Sequence, residues 1–139
     1  MARKRKGGLC PCGSRAPYAA CCGRYLDGDV EAESPERLMR TRYAAYAVGD
    51  ADYLIRTTDP AGEAWEEDEV EWRDSISLFA RRCDFKGVTI RASDEGDDEA
   101  TVEFFARLMR GRVDTSFAEL SHFIRRDGRW LYTRGEKVT

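Results

Sequence analysis

The sequence predicts an α+β protein, with helices packed on an antiparallel sheet and a cysteine-rich knuckle at the N-terminus. Three observations carry this. Four of the five cysteines lie within "CPCGSRAPYAACCG", residues 10–23. Apolar residues recur at helical spacing between Ser34 and Arg82. From Phe85 the period changes to two and persists to a closing Asp-Gly hairpin signal.

The cysteine segment comes first. Its spacing is Cys10-x-Cys12, eight residues, then Cys21-Cys22. Five cysteines is an odd count, and a Cys21–Cys22 bond would close a strained ring. A redox pair would have two residues between its cysteines, where Cys10 and Cys12 have one. Packed free thiols are a poor fit to a stretch this rich in Gly, Pro and Arg. Metal binding fits best: zinc takes four thiolates in a tetrahedron and leaves no open position. Pro11 stiffens the chain, and Gly13 and Ser14 supply a turn that aims backbone N–H groups at the thiolates. Adjacent ligands on a regular helix diverge by about 100°, so Cys21 and Cys22 work together only where a helix ends or bends. A helical turn from Pro17, ended by Gly23 in a left-handed conformation, is expected. The predicted ligands are Cys10, Cys12, Cys21 and Cys22, and their role is structural.

Residues 24–33 read as a polar connection. Ser34 is a natural N-cap for a first helix, with Pro35 at its first position and Glu36 at the positive end of the dipole. Met39, Tyr43 and Tyr46 give that helix an apolar face. Gly49 ends it and Asp50 caps a second, Ala51–Thr58, which stops before Asp59-Pro60. A third lies between Glu66 and Arg82, where Trp72, Ile76, Phe79 and Cys83 repeat at helical spacing. Cys83 is thereby read as a buried apolar residue.

Four strands follow. In the first, Val88, Ile90 and Ala92 alternate with Thr89, Arg91 and Ser93. An acidic turn leads to the second, where Ala100, Val102, Phe104, Ala106 and Leu108 form the inner row. The third, Val113–Arg125, is mixed on both faces. Such a strand is either an ordinary one with cross-strand polar pairs, or one lining a partly polar cavity. The fourth follows Asp127-Gly128 and carries Trp130 and Tyr132 on one face. Glu119 and His122 differ in parity and should point to opposite faces.

Charge and hydropathy bound the function. The chain of 139 residues carries net charge −3. Arg3, Lys4, Arg5 and Lys6 are a basic tail, so the remainder is acidic at −7. That excludes a protein coating nucleic acid with its main surface. No stretch approaches the roughly 20 apolar residues of a membrane span. No apolar run follows the basic N-terminus, and a cytoplasmic location is expected. There is no glycine-rich nucleotide loop, metal-hydrolase histidine pair or serine-hydrolase elbow.

The knuckle resembles the SEC-C motif, keeping Cys10, Pro11, Cys12, Gly13, Ser14, Tyr18, Cys21, Cys22 and Gly23. It departs from it at Arg15, Ala16, Pro17, Ala19 and Ala20, where the motif tends to carry Gly and Lys. With "SPERLMRTRYAAYAVGDADYLIRTTDP" and "ELSHFIRRDGRWLYTRGE", the chain resembles the YchJ-like family of bacterial proteins. The resemblance implies a zinc knuckle over residues 1–30 and a cone-shaped domain over 31–139. That domain would be like nuclear transport factor two, with three helices on a curved four-stranded sheet.

Two functions follow as expectations. In the first, the knuckle, with Arg3–Lys6, Arg15 and Arg24, docks a protein or ribosomal RNA partner. In the second, the cone's cavity binds a small molecule or serves an enzyme. Its candidate polar groups are Glu119, Ser121 and His122 with Arg40 or Arg42, and its candidate walls are Tyr43, Tyr46, Trp65 and Trp130. A homodimer covering the open sheet face is consistent with either.

Overall fold

A computed structural model describes residues 8–138. The basic tail Arg3–Lys6 lies outside them. A 3-10 turn, Tyr18–Ala20, leads into α1, Cys22–Leu26. Then come α2 (Pro35–Val48), α3 (Ala51–Arg56) and α4 (Glu69–Arg82). The strands are β1 (Asp84–Glu95), β2 (Glu99–Arg110), a two-residue β3 (Val113–Asp114), β4 (Phe117–Arg126) and β5 (Arg129–Val138). The sheet is an antiparallel meander ordered β1-β2-β4-β5, with β3 pairing β2.

The helix punctuation follows the local chemistry. Ser34 accepts from Arg37 N–H, Asp50 from Tyr53 N–H and Asp68 from Glu71 N–H, each at 3.0–3.1 Å. Gly49 closes α2 in the left-handed region at φ 76°. The β4–β5 turn has Asp127 at φ 53° and Gly128 at φ 78°, the mirror-image turn that matches strand twist.

Four expectations need correction. Residues 24–33 are not wholly a polar connection, because α1 extends to Leu26 and buries Tyr25 and Leu26. Their carbonyls are held by Arg56, whose Nη2 donates to Tyr25 at 3.3 Å and Leu26 at 3.1 Å. Gly23 does not end a helix in the left-handed region; it lies inside α1. A Cβ there would approach the Tyr18 carbonyl oxygen to 2.8 Å, so close packing is what requires glycine. The third strand is interrupted at Thr115–Ser116, where the Ser116 hydroxyl accepts from Leu108 N–H and takes a ladder position. Ala92 is exposed, because a register shift between Ile90 and Ala92 breaks the inner row of β1.

Strand β2 keeps strict alternation, and Ala100, Val102, Phe104, Ala106 and Leu108 are all buried. They face α2 and α4 across the core. The knuckle cysteines, Tyr18 and Tyr25 are continuous with that core. Residues 57–64 run along β5 as a strap, with Tyr132 N–H donating to Thr57 O and Ala64 N–H to Thr133 O, both at 2.8 Å. No helix among the described residues is long and apolar enough to cross a membrane.

Candidate functional site

Two sites stand out, a thiol cluster and a cavity on the concave face of the sheet.

The thiol cluster is assembled by a miniature hairpin and a kink. Tyr18 N–H donates to Gly8 O at 2.9 Å and Cys10 N–H to Ala16 O at 2.8 Å, which folds Cys10 and Cys12 back over Cys21. Gly13 makes the turn at φ 89°. Cys21, at φ −120° and ψ −110°, breaks the chain between the 3-10 turn and α1. That kink lets two adjacent side chains serve one centre. The four Sγ atoms lie within 4.8 Å of one another, and all four residues are buried. None is in a disulfide.

The donor set fits a metal ion. Cys12 and Cys21 Sγ stand 3.8 Å apart. Two thiolates on a common tetrahedral ion, with metal–sulfur bonds of about 2.3 Å, would be separated by about 3.8 Å. The protonation pattern points the same way. The neighbouring Cys10 thiol holds Cys12 well below the ordinary thiol range, and that same contact pushes Cys10 up to about 12. Hydrogen bonding to Cys10 and Cys12, with burial, raises Cys22 far above the ordinary range. Four buried thiols this close cannot all ionise without a cation to take the place of their protons.

The cluster is built into the body. Cys22 Sγ lies 3.7 Å from the Arg40 carbonyl oxygen on α2. A Cβ at Gly13 would sit 3.7 Å from Gly87 Cα on β1, so the knuckle turn rests on that strand. Cys83 stands apart as a buried residue at the end of α4, and burial raises its thiol pKa.

The cavity has a volume of about 480 Å³. Its walls include Tyr43, Tyr46, Trp72, Phe79, Phe104, Phe117 and Phe123, and its polar lining includes Arg42, Glu119, Ser121 and Tyr132. Both readings of the third strand have a counterpart: Phe117, Glu119, Ser121 and Phe123 line the cavity, while His122 on the other face pairs with Glu136 across the sheet. Ser121 Oγ and Tyr132 Oη both donate to Glu119 Oε2, at 2.8 and 2.9 Å. Burial and the Glu119 charge hold the Tyr132 phenol far above its ordinary range, so it remains a donor. Arg42 is buried below them, with Nη1 donating to Leu54 O, Thr57 Oγ1 and Thr58 Oγ1. Its guanidinium lies 4.3 Å from the Tyr132 ring centroid.

The predicted pocket residues divide. Tyr43, Tyr46, Glu119 and Ser121 meet at the cavity. Arg40 does not reach it: it leaves α2 on the knuckle side, 3.5 Å from Glu36. Trp65 packs edge-to-face on Trp72 at 5.1 Å and so backs the wall from outside. Trp130 is buried near the β4–β5 turn under Arg125, away from the cavity lining. His122 is on the other face, with Nε2 2.7 Å from Glu136. Sequence reasoning did not identify Tyr132 as the partner of Glu119. Its signal was the aromatic at 132 with a glycine at 135, which takes meaning only with the β5 register in hand.

A family profile described as "YchJ, middle NTF2-like domain" matches residues 34–135, and the SEC-C motif matches residues 9–24. The chain belongs to the YchJ (UPF0225) family. A UPF0225 protein from Chromobacterium violaceum is 42% identical over 140 residues, covering 96% of both chains. The solution structure of a SEC-C motif containing protein from Rhodopseudomonas palustris is 40% identical, with a TM-score of 0.79, and spans 94% of this chain and 99% of that one. The crystal structure of a SEC-C motif containing protein from Psychrobacter arcticus has a TM-score of 0.78 at 24% identity, covering 97% of this chain and 85% of that one. This YchJ-family chain therefore has the α+β NTF2-like fold, with a four-cysteine cluster able to bind a metal ion.

Proposed function

We propose that this protein binds a small molecule in its concave cavity, and that a zinc ion clamps the N-terminal segment onto the cavity-bearing domain. The observation that carries the reading is the cavity itself. Its volume of about 480 Å³ lies within the range of roughly 300–1,000 Å³ typical of ligand sites. Its walls are aromatic, and two hydroxyls, of Ser121 and Tyr132, converge on one carboxylate oxygen of Glu119. An apolar pocket with a few oriented polar groups is the usual form of such a site. Zinc is the ion that best suits four thiolates in a closed tetrahedron.

The neutral fluorophore N-phenyl-1-naphthylamine tests the cavity. Saturable one-to-one binding is expected, and Ala106→Trp, which fills the floor, should abolish it. Absence of binding, or equal binding by the filled variant, overturns the reading. Elemental analysis under reducing conditions tests the ion, with one equivalent of zinc expected.

A docking role is favoured by one separate feature. A cleft between the knuckle and the body is lined by Gly13, Ser14, Cys21, Arg24, Arg37 and Arg40. Arg37 and Arg40 are engaged by Glu33 and Glu36, and Arg24 stacks on Tyr25. On this reading Arg24 is the residue that meets an acidic protein or an RNA phosphate. Loss of RNA binding in Arg24→Ala, with a steep salt dependence, would support it. Binding unaltered by Cys21→Ser, or insensitive to salt, would overturn it.

A further inference from the structure

The cavity's charge is asymmetric at its polar end, and this bears on what it takes. Glu119 is the acceptor for two hydroxyls, and both bond to Oε2. Oε1 has no protein donor among the described residues. Two cations lie nearby, each with partners of its own. Arg42 Nη1 serves three oxygens, and its guanidinium stacks on Tyr132. Lys137 faces Glu119 across the β4–β5 ladder, yet its ammonium lies 4.7 Å from the Phe117 ring centroid. Phe117, one of the aromatic residues lining the cavity, thus already holds an ammonium, by the attraction of a ring face for a cation.

The carboxylate is also held in place by an absence. Gly135 is the ladder partner of Ser121, in mid-strand, where glycine is otherwise unfavourable. A Cβ at Gly135 would overlap Glu119 Oε2, Glu119 Cδ and the Tyr132 hydroxyl. Glycine here keeps open the cradle in which the carboxylate lies. Two donors, a cleared cradle and an open second oxygen together describe a built acceptor.

We infer that the cavity takes an amine, a small aromatic or apolar molecule whose protonated nitrogen donates to Oε1 of Glu119. The inference rests on the reading of the cavity as a binding site. The aromatic walls bury the ligand's ring, and Tyr132 and Ser121 keep the acceptor oriented. An anionic ligand would meet the carboxylate with like charge, and a ring with no donor would leave Oε1 without a partner.

The test uses the zinc-loaded full chain and three indoles of similar size, followed by calorimetry. Tryptamine carries an ammonium, 3-ethylindole is uncharged on its side chain, and indole-3-propionate carries a carboxylate. Tryptamine is expected to bind at least about tenfold more tightly than indole-3-propionate. Glu119→Gln should weaken tryptamine by about tenfold and leave 3-ethylindole within about twofold. Gly135→Ala retains the charge and displaces the carboxylate, so it should weaken tryptamine as well, and it serves if Glu119→Gln fails to fold. Tighter binding of the propionate, or tryptamine binding unchanged in both variants, overturns the amine assignment and leaves the cavity reading standing. Binding of none of the three overturns the amine assignment, and absence of naphthylamine binding as well overturns the cavity reading with it.

Discussion

Tyr132 and Glu119 are hydrogen-bonded at 2.9 Å although neither is the other's partner in the ladder. Tyr132 pairs with Phe123, and Glu119 pairs with Lys137. The bond spans this offset because the register shifts between His122 and Phe123, which puts Tyr132 and Gly135 on one face, and because Gly135 carries no side chain. The polar end of the cavity is therefore made by a bulge and a glycine as much as by Glu119, Ser121 and Tyr132 themselves.

Strap packing gives a stability prediction. A Cβ at Gly62 would stand 2.8 Å from Thr133 O and 2.9 Å from Thr133 Cα. Both are backbone atoms in a paired strand and cannot yield cheaply. Gly62→Ala should destabilise the protein by about 1–3 kcal/mol, read as a lower urea midpoint at unchanged slope.

Removal of the metal should affect the whole fold, because the cysteines are continuous with the core. If the ion is the proposed zinc, free zinc held near a thousandfold above its dissociation constant would contribute about 4 kcal/mol to stability. A strong chelator should therefore lower Tm in a single cooperative transition. Thiol labelling checks the same point: the metal-bound protein should react slowly, and chelation should speed the labelling of the knuckle thiols. Cys83, buried and raised in pKa, should label only on unfolding.

The outer face supplies a pH prediction. Hydrogen bonding to His122, then to Arg134, lowers the pKa of Glu136. A carboxyl whose folded pKa is depressed stabilises the protein above its unfolded pKa, and that stabilisation fades as pH falls through the lower folded value. His122→Ala should raise the Glu136 midpoint toward its ordinary value, as read by carbon-detected NMR. The same variant should leave cavity binding unchanged, since His122 points away from Glu119.

Alkaline titration probes the cavity. Burial raises Tyr53 to about 12, and burial with the Glu119 charge raises Tyr132 further. A neutral phenol with a raised folded pKa keeps its full stabilising effect below the unfolded pKa near 10, then loses it as pH rises through the folded value. These two residues, with Tyr18, whose phenol burial also raises, should ionise late, together with alkaline unfolding. Tyr132→Phe should remove one phenol from the late phase, measured by absorbance near 295 nm.

Much of this architecture was legible in residue order. Ser34, Asp50, Gly49 and the Asp127-Gly128 pair mark boundaries that depend on local hydrogen bonds and local φ. The inner row of β2 was legible because it is an unbroken alternation. The cysteine cluster was legible because its residue type and spacing restrict the chemistry. Bulges in β1 and β5 were not, since a register shift is settled by how strands twist and pack together. The same limit hid the placement of Arg40, Trp65 and Trp130, whose residue types suit a pocket but whose backbones face elsewhere.

By itself, then, the sequence determined α2, α3 and α4, the order of the strands and the four thiols, because each depends on contacts within a few residues along the chain. Tertiary structure decided that the knuckle is built into the core and that Glu119, Ser121 and Tyr132 converge. Those outcomes depend on strand register and on one vacant Cβ position, which arise only when distant segments meet.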